Sequence, residues 1–382
     1  MQVTIHGGVG EKGRTCIGVA QAGTRILLDV GVDTSSPRGL GYYPAIGRDE
    51  LRRLDAIIVT HAHEDHVAAL GWCLANGFAG RVLMTAESAA EMGATLAAYA
   101  TPEECALAAR IAPEIIAAGQ DFGIGPLAIR TGRSGHVVGG VWCHLGAEGR
   151  SLGYCGDVVP ASPVFAMDPL PPCDLLLVDA SYGADRVPAA ERGGAIRRWL
   201  AAHPQGAVLP TPLSGRSVEL IGLIEGPIAI HPSMRAALSE QIAAEAWLKP
   251  GIAALLAARL AAAQLWEEGR PLPPAPLLCD DGMGLAGPSR AALAEARRVG
   301  HPVLLTGHIP KASPADAMRT AGLADWLRFP THPTLPENAA LAAASGAARV
   351  LAHSCDAQTA RLLAPDIPNL VADLKPGDSI EI

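Results

Sequence analysis

Short apolar runs, each closed by a glycine or polar turn, crowd the first half of the 382-residue chain. They read "QVTIHGG" from Gln2, "CIGVAQAG" from Cys16, "RILLDVG" from Arg25, "AIIVTH" from Ala56, "RVLMT" from Arg81, "LAIRTG" from Leu127, "VVGGVWCHLG" from Val137, "SLGYCGD" from Ser151 and "LLLVDAS" from Leu175. Runs this short, with turn residues on both sides, form strands rather than helices. An Ala-rich helical block at 87–119 interrupts them, and its Thr101-Pro102-Glu103-Glu104 has the form of a helix start. After Ser181 helical patterns dominate, separated by the strands "GAVLP", "GPIAIH" and "PVLLTG". A proline-rich turn, "PLPPAP", precedes "LLCDDGMG", and the chain closes on the helix "PENAALAAASG" and the strand "ARVLAHS". The fold class is therefore α/β, in more than one part.

Composition narrows the setting. The formal net charge of -8 argues against a general basic surface for nucleic acid. Only residues 189–330 lean basic, with 14 basic and 12 acidic side chains, so a polyanion would find its wall there. The 8 cysteines are scattered without a CxxC pair, as buried thiols are in a reducing cytoplasm. The N-terminus lacks the basic and apolar regions of a secretory signal, and no apolar run reaches membrane-spanning length. The most apolar helical region, 236–264, contains Glu240, Glu245, Lys249, Pro250 and Gly251, which divide it into two helices. The expectation is a cytoplasmic protein with no membrane partner, and a homodimer stays open.

The chemistry begins at "THAHEDH", residues 60–66, directly after the apolar run that ends at Val59. Imidazole and carboxylate are the usual ligands of zinc and related metals. His61 and His63 can aim at one point, Asp65 and His66 at a second. The loop cannot complete either site alone. His136 in the glycine-flanked "SGHVVGG", Asp157 at a strand end and His353 at the end of "RVLAH" are suitable partners. They give one metal with His61, His63 and His136, another with Asp65, His66 and His353, and Asp157 bridging them. The cofactor expected is two zinc ions, with manganese as the alternative. Lone histidines such as His6, His144 and His203 read as surface or core residues, and His231 and His301, each before proline, as turn residues.

These motifs resemble the signature of the metallo-β-lactamase superfamily. "THAHEDH" is similar to its ligand loop, and Asp29 in "ILLDVG" to the early aspartate that supports that loop. The resemblance extends to the β-CASP nucleases, toward the ribonuclease J and cleavage-factor branch. "PTPLSGRSVEL" looks like their Gly-Arg-x-x-Glu helix start, with Gly215, Arg216 and Glu219 matching, and Ser214 beside them. "LLLVDASYG", "FPTHPT" and "LAHSCD" look like the three added motifs, placing Asp179, His332 and His353. The resemblance implies an αββα metallo-β-lactamase sandwich, residues 1–188 and 326–382, with an inserted α/β β-CASP domain over 189–325. Two departures concern substrate: "PTHP" and "HSC" stand where relatives carry a small residue before the histidine and "HGE".

The resemblance also implies a mechanism. Two metals would activate water against a phosphodiester, with Asp65 at the centre, His332 as general acid and Asp179 as its partner. Arg216 and Ser214 would bind substrate, since guanidinium matches phosphate bidentately. The leading expectation is thus a zinc-dependent nuclease acting on RNA or DNA. The alternative is a hydrolase of a small ester, thioester, lactone or phosphodiester metabolite, with the insertion as a lid. A basic face of Arg192, Arg197, Arg198, Arg216 and Arg235 would favour the first; the same arginines dispersed among structural partners would favour the second.

Overall fold

The computed structural model describes residues 1–39 and 41–382. The chain divides into two compact units: Met1–Pro160, Met167–Arg186 and His332–Ile382 form the first, Ala161–Ala166 and Val187–Thr331 the second. The sequence reading sets its boundaries at 189 and 325; the second unit here runs from Val187 to Thr331 and also takes in Ala161–Ala166.

The first unit is built on two sheets. One has seven strands in the order Ser379–Glu381, Gln2–Gly7, Cys16–Gln21, Thr24–Leu28, Ala56–Ile58, Arg81–Met84, Glu114–Ile115. The other has eight: Cys355–Asp356, Val9–Gly10, Arg349–His353, Leu175–Asp179, Arg150–Tyr154, Val141–Ala147, Leu127–Arg133, Asp121–Ile124. Alternation along the strands sets the layers. Ile26, Leu28, Ile58, Leu145, Leu152, Leu175, Leu177 and Leu351 share one buried cluster between the sheets. The intervening Leu27, Ile57 and Val82 turn the other way and pack with Leu51, Leu70, Met92 and Leu96 of helices. Leu176, Val178 and Val350 pack with Leu335, Ala342, Ala360 and Leu363 of Leu335–Ser345 and Ala357–Leu363. Helix, sheet, sheet, helix is the αββα sandwich that the resemblance implies.

Local signals hold where the chemistry is local. Thr101 and Glu104 form a capping box at the head of Pro102–Ala108, and Thr334 and Glu337 form another at Leu335–Ser345. All 8 cysteines are free, and all but Cys105 are buried. Two strand expectations shift. Val137–Gly140 is not strand but a turn carrying His136, and Asp121–Ile124 is a strand that the glycine and charge in it conceal.

The second unit carries its own parallel sheet, with neighbours in the order Ala207–Pro210, Pro276–Cys279, Ala229–Ile230, Gln264–Leu265. Leu304–Leu305 continues it on the other side through a parallel bridge from Val303 to Val208. Arg235–Ala243 and Ile252–Ala262 are the two helices that the polar break divides.

One backbone contact sets the site. The metal-loop helix Glu64–Val67 docks on residues 15 and 30–32: Val32, Thr15 and Val30 donate their N–H groups to the carbonyls of Glu64, Asp65 and His66, at 3.0, 2.9 and 2.8 Å. Gly31 lies against the Asp65 carbonyl so closely that a Cβ there would overlap it. Gly31→Ala should therefore cost at least about 1–3 kcal/mol of stability, the range for forced overpacking. A denaturant titration checks this, and an unchanged midpoint would refute the docking.

Candidate metal centre

The site assembles at one end of the strands. His61, His63, Asp65 and His66 follow Ala56–Ile58; His136 follows Leu127–Arg133; Asp157 follows Arg150–Tyr154; Asp179 ends Leu175–Asp179. In the second sheet Arg150–Tyr154, Leu175–Asp179 and Arg349–His353 are parallel neighbours, so their carboxyl ends lie side by side.

His61, His63, His136 and Asp157 each offer an atom within 4.8 Å of the others. His136 Nε2 is 3.2 Å from His63 Nδ1, and Asp157 Oδ2 is 3.8 Å from His61 Nε2 and 3.7 Å from His136 Nε2. The other Asp157 oxygen turns to His66, whose Nε2 is 3.2 Å from Oδ1 and 3.7 Å from Asp65 Oδ2. Asp157 thus faces both halves of the loop, as a bridge would.

Hydrogen bonds on the far sides of the rings decide which nitrogens face the site. His66 Nδ1 lies 2.7 Å from Asp29 Oδ2, so it carries the proton and leaves Nε2 a lone pair. Thr60 Oγ1 donates to Asp29 Oδ2 at 2.8 Å and so accepts from His61 Nδ1 at 3.1 Å, which again leaves Nε2. The Nε2 atoms of His61 and His66 and Oδ1 of Asp157 are buried without a hydrogen-bond partner. Buried polar atoms without partners are costly, and here they converge. A divalent cation fits this donor set.

The electrostatics agree. Burial opposes charge on His66, yet Asp157, Asp65 and Asp29 override it and raise its pKa well above the ordinary value. Burial likewise opposes charge on Asp157, but His66 and His332 hold it well below the usual carboxylate range. His61, dominated by burial and then by the neighbouring His66 and His63, is lowered well below. Three carboxylates thus draw positive charge to the His66 side, while His61 stays a neutral donor.

Asp179 and His332 form a separate pair. His332 Nδ1 is 2.8 Å from Asp179 Oδ2 and 3.6 Å from Asp157 Oδ2. The shorter distance is a hydrogen bond, so that nitrogen bears a proton rather than a lone pair for a metal. Asp179 is fully buried, while the His332 side chain keeps 21% of its exposure. Burial opposes protonation of His332, but Asp179 and then Asp157 raise its pKa.

His353 departs from the sequence expectation. It is assigned there to the second metal, but both its nitrogens are taken: Nε2 lies 3.0 Å from the Gly156 carbonyl and Nδ1 2.9 Å from Ser354 Oγ. The strand register brings it beside Asp179, and the close Gly156 carbonyl then captures the ring. Several supporting residues escaped sequence reading. Thr60 and Ser181 adjoin the motifs, but Tyr154, whose hydroxyl donates to Asp29 at 2.6 Å, has no local signal.

In the second unit, Ser214, Gly215 and Arg216 lie beyond the carboxyl end of Ala207–Pro210, at the start of Arg216–Leu223. Gln241 clamps this turn, accepting from Gly215 N and donating to the Leu213 carbonyl, both at 3.1 Å. A Cβ at Gly307 would overlap the Arg216 guanidinium, so Gly307 makes room for it. Glu219 is fully buried and accepts from Ser162 Oγ at 2.6 Å. Of the arginines whose placement would separate the two readings, Arg235 donates to the Leu260 and Ala263 carbonyls at a helix end, and Arg197 lies 3.9 Å from Glu225. Arg235 serves the fold, while the Arg197 pair is exposed. No helix among the described residues is long and apolar enough to cross a membrane.

Fold and donors together define an αββα protein with a histidine–carboxylate metal centre at one end of its strands. A family model described as "Beta-lactamase superfamily domain" matches residues 24–210. Ribonuclease TTHA0252 of Thermus thermophilus is 31% identical over 172 residues, which cover 42% of this chain and 39% of that protein. Transcription termination factor FttA of Cenarchaeum symbiosum is 25% identical over 250 residues, covering 59% of this chain and 39% of its own. A crystal structure of a protein of unknown function from Enterococcus faecalis V583 covers 99% of both chains with a TM-score of 0.62 and 12% identity, a likeness of fold alone. Residues 24–210 thus belong to the metallo-β-lactamase superfamily, and the curated proteins that the chain is similar to are named as a ribonuclease, a transcription termination factor and an endoribonuclease. The matches span 39% of the length of each of the two curated relatives described.

Two measurements follow from this geometry. His63→Ala and Asp157→Ala should each lower bound divalent metal by at least about 10–100-fold in affinity, read by calorimetry and metal analysis; unchanged metal content would refute the ligand assignment. Glu219 has its pKa pushed up by burial to about 8, against an ordinary 4.5. Between those values the unfolded chain releases the proton and the folded one keeps it, so stability falls as pH rises. Glu219→Gln should remove this slope, and the gap in melting temperature over the parent should widen from pH 5 to pH 8. A constant gap would contradict the buried neutral acid.

Proposed function

We propose that the chain is a metal-dependent phosphodiesterase whose substrate is RNA. The observation that carries this is the hydrogen-bonded His332–Asp179 pair beside the Asp157 carboxylate. A protonated imidazole next to a metal centre suits a substrate whose leaving oxygen needs a proton. The names of the relatives support the same reading: ribonuclease for that of Thermus thermophilus, endoribonuclease for ysh1 of Emericella nidulans.

His61, His63, His136 and Asp157 would hold one metal, and Asp65 and His66 with Asp157 a second; zinc is the proposed ion and manganese the alternative. When bound, the metals supply Lewis acidity, lowering the pKa of water and neutralising charge on the phosphoryl oxygens. The side chains do the rest. Asp29 and Thr60 fix the rings of His66 and His61 so that their Nε2 atoms face the centre. Asp179 holds the Nδ1 proton of His332, which leaves Nε2 as the atom that hands a proton to the leaving oxygen. In the second unit, proposed as the substrate-binding insertion over about 187–331, Arg216 and Ser214 would hold phosphate. The reduced cysteines fit a cytoplasmic setting.

A second reading, hydrolysis of a small ester or phosphodiester metabolite, draws on one observation: Arg235 is engaged at a helix end. The deciding experiment incubates metal-loaded protein with end-labelled RNA and DNA beside a panel of small esters, with chelator controls. RNA should be cleaved and chelator should abolish it. His332→Gln should keep its metal and slow RNA cleavage by about 10²–10⁴-fold. Cleavage confined to small esters would favour the second reading, and full RNA activity in His332→Gln would remove His332 as the acid.

A further inference from the structure

We infer that Ser181 is a positioning residue for proton transfer, acting through Asp179 on His332; this rests on the phosphodiesterase reading above. Ser181 donates twice to the same carboxylate oxygen, Asp179 Oδ1: from its hydroxyl at 2.6 Å and from its backbone N–H at 3.0 Å. The other oxygen, Oδ2, holds His332 Nδ1 at 2.8 Å. The two oxygens therefore have separate duties, one anchored and one working.

The anchoring matters because the carboxylate torsion of aspartate is soft. It is a terminal sp³–sp² bond with broad preferences, so hydrogen bonds to its oxygens decide the carboxylate plane. Rotation about it would swing Oδ2 away from the imidazole and take with it the direction of the Nδ1–H bond. The hydroxyl bond is charge-assisted and short, the kind that resists rotation most. The backbone on either side is already fixed by other means. Asn338 Nδ2 donates to the Asp179 carbonyl at 2.7 Å, and Asp179 pairs with His353 in the strand register. What remains in this aspartate is the carboxylate plane, which Ser181 anchors from the Oδ1 side. The Tyr182 ring, edge-on at 5.2 Å, borders the His332 ring on one side. With Asp179 on Nδ1, this gives the imidazole one orientation.

No atom of this scheme needs Ser181 to touch the substrate. Its loss should show only where the leaving oxygen must be protonated. An alkoxide leaving from ribose needs the proton of His332; a p-nitrophenolate leaves without one. The two substrates separate a positioning defect from a general one.

The test uses the full-length, zinc-loaded chain with an RNA oligonucleotide and bis(p-nitrophenyl) phosphate. Ser181→Ala should lower kcat on the oligonucleotide by about 10-fold, the scale of a misaligned but present catalytic group, with KM little changed. The aryl ester rate should fall far less, and Ser181→Thr, which keeps a hydroxyl, should recover most of the oligonucleotide rate. Equal losses on both substrates, no loss on either, or no recovery in Ser181→Thr would overturn the inference. A second measurement does not depend on turnover. In ¹⁵N-histidine-labelled protein, the Nδ1–H resonance of His332, assigned by its loss in His332→Gln, should be seen in the parent and in Ser181→Thr but broadened by exchange in Ser181→Ala. An unchanged resonance in Ser181→Ala would refute the positioning role. If neither substrate is hydrolysed by the parent, the phosphodiesterase reading falls, and the resonance still decides whether Ser181 orders the pair.

Discussion

The carboxylate of Asp29 is the interaction on which the metal centre depends. It is fully buried and accepts four hydrogen bonds: from Thr60 N, Thr60 Oγ1, His66 Nδ1 and Tyr154 OH. Its own backbone is left-handed, with φ of 59°, where the strand Thr24–Leu28 has just ended. An aspartate tolerates that conformation better than most residues, and a buried carboxylate needs all its donors. Thr60 and His66 belong to the ligand loop behind the seven-stranded sheet; Tyr154 ends a strand of the eight-stranded one. One carboxylate therefore ties the two sheets together at the place where the ligands of both must meet. It also fixes the tautomers of His61 and His66, directly or through Thr60, so that lone pairs point inward.

The sandwich supplies the rest by topology. Parallel strands that end together put unrelated stretches of chain within reach of one another, and here they bring residues 61–66, 136, 157, 179 and 332 to one end. The charge states of the histidines then separate by environment. His61 is kept neutral by burial, whereas His332, between two carboxylates, is pushed toward its protonated form. Two imidazoles in one site are thereby biased toward opposite protonation states.

Much of this was legible in the sequence, and the limits have physical causes. "THAHEDH" is readable because its donors are adjacent and their spacing matches a strand-end loop. His136 and Asp157 are readable because glycines at 135, 139 and 156, all with positive φ, mark the sharp turns that aim them. His332 and Asp179 follow only from resemblance, since a hydrogen bond across 153 positions leaves no local trace. His353 is the opposite case. Its place at a strand end is visible in the sequence, yet its ring is engaged by the Gly156 carbonyl and Ser354, a matter of side-chain orientation that no spacing rule contains. The arginines are legible only as charge: whether one of them caps a helix, as Arg235 does, is settled only in three dimensions.

The central claim is that Asp157 stands between two metal positions, one with His61, His63 and His136 and one with Asp65 and His66. Anomalous diffraction at the zinc edge, from crystals grown with the metal, tests it most directly. Two peaks flanking Asp157 are predicted, the first among the three imidazoles and the second beside His66 Nε2. No peak at this strand end, or one peak held by His332 and Asp179 instead, would contradict the account.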